Sequence, residues 1–412
     1  MIEFKKFILD NGLRVIVHED HSTPMAVLNV LYDVGARDEN PDQTGFAHLF
    51  EHLMFGGSLN IPEFEIPLQL AGGENNAFTT NDLTNYYIQL PAENIETAFW
   101  LESDRMLSLA FSEKSLQVQR KVVCEEFKEH YINKPYGDVW FKLRELAYHV
   151  HPYRWMTIGK QLSHIENAHL KDVKNFFHKH YSPKNAILVI AGNIVQARAV
   201  ELAEKWFGNI APGVKYERHL PTEPKQEEAR KLECKADVPL DALYKAYPIA
   251  SRLEDGYYYA ELITEILGGG QSSRLYQRLV KEKKLFSQID CNQTGSSDAG
   301  LVVIEGKLIR GVNMKDADLA VEEVLEELMK EPLQEKELAK VKNKTEAAIV
   351  FEDMSLMNRA ASLAIYELLE DANLMNTELS KYQSVSVGDL LSESRKIFDK
   401  KNSNTIYYYS NN

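Results

Sequence analysis

This chain is short of cysteine, of positive charge and of long apolar runs. Three cysteines in 412 residues, Cys124, Cys234 and Cys291, are too few and too scattered to build a disulfide framework. Lysine and arginine number 47 against 61 aspartates and glutamates, a net charge of −14. Nucleic acids and anionic membranes both attract basic surfaces, so this balance predicts neither as a partner. No apolar run is long enough to span a bilayer. Met1-Ile2-Glu3-Phe4-Lys5-Lys6 leads directly into a strand pattern over Phe7–His18, without the apolar stretch of a secretion signal. These absences predict a reducing, cytoplasmic compartment, with export to the periplasm by another route left open.

What is present reads as globular protein: 44% hydrophobic and 26% charged residues. The length exceeds one ordinary core and predicts two domains of about 200 residues each. A degenerate internal repeat supports that division. Asn185–Asn193 and Asn404–Asn412 are both apolar or aromatic β-type runs framed by asparagine. His48–Ser58 and Glu261–Ser272 are both apolar helix patterns that end in consecutive glycines and a serine. Prolines and charges without periodicity between Pro212 and Glu228 mark the join. The predicted domains are therefore 1–212 and 230–412, with a linker at 213–229. In the first copy, strands are expected near 3–10, 13–19, 25–35, 83–90 and 186–192. Helices are expected near 43–56, 92–108, 112–131, 137–147 and 170–180. Strand groups and helix groups alternate unevenly, which predicts an α+β fold: two homologous α/β-sandwich domains, each a mainly antiparallel sheet with helices on one face. Lys315–Glu370 reads as one long helical stretch broken near Pro332, its charges a solvated face.

His48-Leu49-Phe50-Glu51-His52 carries the sharpest chemical signal. On a helix, positions i, i+3 and i+4 share a face. Two imidazoles one turn apart can hold a single zinc ion, and the carboxylate beside them can take a proton from water at that metal. This is the His-x-x-Glu-His spacing of the inverzincins. An amphipathic helix with two surface histidines is the plainer alternative. Leu49, Phe50, Leu53, Met54 and Phe55 argue against it, because they make the turn apolar on most sides and hence buried. Gly56 and Gly57 are expected to end the helix.

A catalytic zinc needs a third protein ligand and an open position. The stretch Gln119-Arg120-Lys121-Val122-Val123-Cys124-Glu125-Glu126 supplies candidates. His-x-x-Glu-His followed at this distance by Arg-x-Val-Val-x-Glu-Glu resembles the pitrilysin family of zinc peptidases. The resemblance implies His48, His52 and Glu126 as zinc ligands, one zinc per chain, with Glu125 a neighbour and Glu51 the general base. Relatives carry a second acid seven residues before the third ligand, where this chain has Gln119. Gly72-Gly73-Glu74-Asn75-Asn76-Ala77-Phe78-Thr79 and Thr84-Asn85-Tyr86 match a further family pattern. Physically, Asn76, Ala77, Phe78 and Thr79 form a short edge strand with backbone groups left to pair with an extended peptide. In relatives that edge aligns the substrate beside the zinc.

The second copy departs from the family. Relatives present Leu-Arg-x-x-x-Gly-Leu-x-Tyr, whose arginine and tyrosine help stabilise the tetrahedral intermediate. Here Val280 and Ser287 take their places, with Arg274, Tyr276 and Arg278 nearby but out of register. In some relatives the zinc and the arginine–tyrosine pair lie on separate subunits. The resemblance thus implies half of a clamshell: a zinc-dependent endopeptidase acting on peptides or unfolded segments in a dimeric chamber. Its partner would be a homologous subunit that contributes arginine and tyrosine, or a second copy of itself. The alternative is a non-catalytic assembly or chaperone-like subunit of the same fold, although such relatives generally have damaged metal motifs.

Overall fold

The computed structural model describes residues 1–295 and 297–411. Its strands follow the apolar alternation. The first six are β1 (Lys5–Ile8), β2 (Arg14–Glu19), β3 (Met25–Tyr32), β4 (Glu74–Thr79), β5 (Thr84–Pro91) and β6 (Ala186–Gly192). They form one sheet in the order β1-β2-β6-β3-β5-β4. Only the β2–β6 pairing within it is parallel. β6 reads Ala-Ile-Leu-Val-Ile-Ala-Gly and is buried throughout, as a central strand covered on both faces must be. β4 pairs with β5 alone and is an edge.

The remaining strands are β7 (Arg230–Ala236), β8 (Ala242–Pro248), β9 (Phe286–Gln293), β10 (Leu301–Leu308) and β11 (Asn404–Ser410). Their order is β7-β11-β8-β10-β9, with β7–β11 the one parallel pairing. This repeats β2-β6-β3-β5-β4 strand for strand. The two asparagine-framed runs, now β6 and β11, occupy equivalent places.

The chain forms two compact units that are not continuous in sequence. The first comprises Met1–Glu129, Trp155–Leu220 and Val350–Thr377; the second comprises His130–Arg154, Pro221–Ile349 and Glu378–Asn412. In the first unit, the Leu356–Leu369 helix lies on β3 and β6. Its Ala360, Leu363 and Ala364 are buried among Ile16, Val27, Leu31, Ile187, Val189 and Ala191. Arg359 pairs with Asp20, and Lys6 pairs with Glu367 at 3.0 Å. In the second unit, the Val139–Ala147 helix packs Val139, Leu143 and Ala147 on Ala242, Tyr244, Ala246, Ile406 and Tyr408.

Helices on one sheet face only were expected; the first sheet is buried on both. Ala26, Leu28 and Val30 on the face opposite Val27 and Leu31 are equally inaccessible. The second cover comes from a helix far away in sequence, which no local period can reveal. Lys315–Glu370 is also broken twice, giving helices Met314–Lys330, Glu335–Asp353 and Leu356–Leu369. The unforeseen break falls where Ser355 accepts Asn358 N–H at 3.3 Å and caps the last helix. Helix Gln196–Phe207 also forms where none was expected.

Candidate metal centre

The Phe46–Met54 helix buries Phe46, Leu49, Phe50, Leu53 and Met54. Phe50 anchors it, stacking on Phe177 at 5.8 Å between ring centroids and tilted against Tyr181 at 4.3 Å. With that face committed, His48, Glu51 and His52 share the half-buried face. The helix ends at Met54, and Gly57 turns the chain away with φ +83°.

The Glu113–Phe127 helix brings the third group. Ser112 caps it by accepting Ser115 N–H at 3.0 Å. Arg120 ties its middle to the carbonyls of Glu166 and Ala168 at 3.0 and 3.1 Å. Near its end, Glu126 Oε1 stands 3.7 Å from His48 Nε2, and Glu126 Oε2 stands 3.5 Å from His52 Nε2. Glu125 points elsewhere, to an exposed pairing with Lys128 at 2.8 Å. Among the described residues, His48, His52 and Glu126 form a group able to hold a metal ion, with donor atoms all within 4.8 Å of one another.

This donor set fits zinc. The N–O separations of 3.5 and 3.7 Å are too long for hydrogen bonds. Ligand atoms each about 2.1 Å from a tetrahedral ion stand roughly 3.4 Å apart, close to that spacing. Burial holds the His48 imidazole below its ordinary pKa, against the attraction of Glu126, so it is neutral near pH 7, as a ligand must be. His48 Nδ1 is buried with no protein hydrogen-bond partner among the described residues.

Glu51 lies beside this group. Thr79, the last residue of β4, donates its hydroxyl to Glu51 Oε2 at 2.5 Å. Burial raises the Glu51 pKa, and the Thr79 bond opposes that rise. Asn76, Ala77 and Phe78 continue along the edge, opposite Tyr87, Tyr86 and Asn85 of β5. Ala77 N–H is taken by the Asn76 side chain at 2.8 Å. A local side chain thus covers a donor that an edge strand leaves unpaired.

Sequence reasoning places Thr79 in the edge strand and misses its bond to Glu51. The bond depends on where β4 ends against the helix, which spacing alone does not encode.

Residues 14–152 match the family model described as Insulinase (Peptidase family M16), and residues 167–345 match one described as Peptidase M16 inactive domain. The chain is 30% identical to a Helicobacter pylori protein named zinc protease PqqE, over 97% of this chain and 91% of that protein. The chain belongs to peptidase family M16, the insulinase and pitrilysin family. Another M16 relative, in Bacillus subtilis, is named uncharacterized zinc protease YmxG; it is 25% identical over 89% of this chain and 88% of its own. The mitochondrial-processing peptidase subunit beta of Saccharomyces cerevisiae is 29% identical, over 49% of this chain and 44% of that one. Among solved structures, a protease from Helicobacter pylori superimposes with a TM-score of 0.92 at 29% identity, covering 99% of this chain and 100% of that one.

The second-unit residues singled out in the sequence are engaged in other contacts. Val280 packs against the hydrophobic core. Ser287 donates its hydroxyl to the Lys307 carbonyl at 3.0 Å. Both arginines nearby are engaged: Arg274 grips Glu337 in two bonds of 3.0 and 2.8 Å, and Arg278 pairs with Glu327 at 3.1 Å. Tyr276 opens the π-helical turn Tyr276–Glu282, with the Lys281 ammonium 5.5 Å from its ring centre.

Proposed function

We propose that this M16 chain is a zinc-dependent endopeptidase that hydrolyses peptides or unfolded segments, and that it is the metal-bearing partner of a split site. The observation that carries this is the convergence of His48, His52 and Glu126 with Glu51 beside them, bonded to the end of an edge strand. His48 Nε2, His52 Nε2 and a Glu126 carboxylate oxygen hold the ion. When bound, zinc supplies Lewis acidity toward a scissile carbonyl and toward water. Glu51 accepts the proton that the attacking water gives up and returns it to the leaving amine. The Thr79 hydroxyl orients that carboxylate. Asn76–Thr79 takes an extended peptide as an added strand, with the Asn76 side chain giving way to the peptide backbone.

The partner follows from what the chain lacks. Val280 carries no donor and the Ser287 hydroxyl is spent on the Lys307 carbonyl, so the partner is a homologous subunit that contributes an arginine and a tyrosine; a second copy of this chain would form a homodimer without them. That one relative is named as a subunit beta supports this reading. We place the domain boundary in 213–229 and the protein in the cytoplasm. No helix among the described residues is long and apolar enough to cross a membrane.

Elemental analysis tests the ligands. One zinc per chain is expected, lost in His48→Ala and in Glu126→Gln; full retention in both would overturn the assignment. Glu51→Gln tests the base: it should keep zinc and peptide binding and cleave almost nothing. Near-native turnover would place the base elsewhere. The second reading, a non-catalytic assembly or chaperone-like subunit, is favoured by Val280, Ser287 and the inactive-domain match over 167–345. It prevails if the zinc-loaded protein, supplied with a donor-bearing homologous subunit, cleaves no unstructured peptide.

A further inference from the structure

The helix that carries His48, Glu51 and His52 starts without a cap of its own. Gly45 occupies its N-cap with φ +88°. A side chain there would place Cβ 2.6 Å from Ile165 Cδ1 and 2.7 Å from the Ile158 carbonyl oxygen. Serine, threonine and aspartate, the usual caps, therefore cannot stand at this position. Thr44, just before it, is committed elsewhere: its hydroxyl accepts Lys160 N–H at 2.7 Å and pairs with His164 Nδ1 at 2.9 Å. The missing acceptor arrives from upstream. Gly45 N–H and Ala47 N–H donate to the two carboxylate oxygens of Glu39 at 2.9 and 2.8 Å. Glu39 is 7% exposed. Burial pushes the Glu39 pKa up to about 8, and the bonds from Ala47 N–H and Gly45 N–H oppose that rise.

Glu39 is the last residue of a short segment held on its other side by the loop that follows Thr79. Ala36 N–H donates to the Thr80 carbonyl at 3.1 Å, and Arg37 N–H to that of Asn81 at 2.9 Å. The Arg37 guanidinium lies 3.0 Å from Asp82. Asp38, between them, is gripped by Arg218 at 2.7 and 3.0 Å. Residues 36–39 thus fasten the metal helix to the loop behind β4. The two ends of that link meet again where Thr79 bonds Glu51.

We propose that Glu39 is a positioning residue of the metal centre. Its carboxylate fixes the start and rotation of the Phe46–Met54 helix against the Thr80–Asp82 loop, so that His48 and His52 meet Glu126 and Glu51 meets Thr79. This deepens the zinc reading above and rests on it. A carboxyl group so placed acts on the ion through the helix, without touching metal or substrate.

The test compares Glu39→Gln and Glu39→Asp with the wild-type chain and with Ser386→Ala. Ser386 caps the Val387–Ile397 helix of the second unit by accepting Asp389 N–H at 3.2 Å. The readouts are zinc release to a chelator, the visible spectrum of the Co2+-substituted protein, and kcat and KM on an unstructured fluorogenic peptide. In Glu39→Gln, the side-chain amide offers one acceptor where two N–H groups point, and turns an N–H toward the other. Zinc release should speed up by about 10–100-fold, the usual consequence of losing a group that orients a ligand. The Co2+ bands should shift, and kcat should fall with KM unchanged. Glu39→Asp keeps the carboxyl group on a shorter arm and should fall between. Ser386→Ala should lower thermal stability and leave zinc release alone. The proposal is overturned if Glu39→Gln releases zinc at the wild-type rate with an unaltered Co2+ spectrum. It is equally overturned if Ser386→Ala speeds release as much. If Glu39→Gln does not fold, Glu39→Asp with wild-type release and spectrum overturns it. A wild-type chain that takes up no tight zinc would instead bring down the metal reading itself.

Discussion

The two units share one strand order and put it to different use. In each, a helix that ends near consecutive glycines accompanies a sheet whose edge strand is β4 or β9. In the first unit that helix turns His48, Glu51 and His52 to a half-buried face, and Glu51 meets Thr79 at the end of β4. In the second unit the Asp255–Gly268 helix comes down directly on β9. A Cβ at Gly268 would lie 2.1 Å from Cys291 N, so only glycine allows the contact. One of its acids, Glu261, is half-buried and turned to neighbouring side chains, accepting the Tyr382 hydroxyl at 2.5 Å and the Gln293 amide at 3.3 Å. The scaffold alone therefore does not make a metal centre. What matters is which polar side chains the helix brings together: two histidines and two glutamates in one unit, a glutamate with a tyrosine and a glutamine in the other.

The largest effect should expose this contrast. Glu51→Gln is expected to lower peptide cleavage by about 10²–10⁴-fold, the usual worth of a general base. Glu261→Gln alters the equivalent helix of the other unit, where a glutamine still accepts the tyrosine hydroxyl, and is expected to leave turnover unchanged. Steady-state kinetics on one unstructured peptide compares the two. Loss of turnover in both variants would mean that the second helix takes part in the chemistry.

The next effect concerns the donors that the proposed split site takes from a partner. Losing one oxyanion donor typically costs about 10²–10³-fold. The isolated chain should therefore cleave slowly, and a homologous subunit bearing the arginine and tyrosine should raise the rate by a comparable factor. Mutating those two residues in the partner should abolish the gain while the complex persists. An isolated chain already as fast as the mixture would rule out a split site. Arg274→Ala and Arg278→Ala should then be assayed, though both side chains are already held by glutamates.

The units agree more closely in how they are completed. Each takes a helix from the far side of the chain, and Leu363 and Leu143 are the fully buried anchors of those helices. Leu363→Ala and Leu143→Ala should each cost about 2–5 kcal/mol, read as the shift of a urea transition. A fragment ending at residue 212 lacks Val350–Thr377 and should not fold alone. A soluble, cooperatively unfolding 1–212 fragment would show that the first sheet does not need its borrowed cover.

These exchanged helices mark the limit of what the sequence discloses. That His48, Glu51 and His52 share one helix face was legible because positions i, i+3 and i+4 are neighbours on a helix. The matching places of β6 and β11 were legible because a buried central strand must be an unbroken apolar run. Glu126 was legible only through family resemblance, since nothing local distinguishes it from Glu125. The partners of Leu143 and Leu363 are set by tertiary pairing of remote segments, which leaves no period. Gln196–Phe207 is different: its Ala199, Leu202, Ala203 and Phe207 recur at helical spacing with Arg198, Glu201 and Glu204 outside the stripe, so this helix was legible and was overlooked. Glu39 was hidden for another reason. Its role exists because Gly45 has no room for a side chain, and lack of room is a property of the fold.

The smallest effect sharpens the comparison between two caps of the same unit. Ser112 caps the helix that carries Glu126, as Glu39 caps the helix that carries the histidines. Ser112→Ala should destabilise the protein by about 0.5–2 kcal/mol, as loss of a serine cap does. Zinc release should nevertheless stay at the wild-type rate. A lost cap frays the first turn, and Glu126 lies near the far end of this 15-residue helix. Between them, Leu116 and Val123 are buried and Arg120 is bonded to two carbonyls, so fraying at Glu113 is not passed along. His48, by contrast, sits one residue beyond Ala47, whose N–H Glu39 holds. Distance from cap to ligand therefore separates the two variants. Thermal unfolding and chelator-chased zinc release on the same samples measure both quantities. If Ser112→Ala speeds release as much as Glu39→Gln does, the centre responds to any loss of helix stability, and the special placement of Glu39 is not needed.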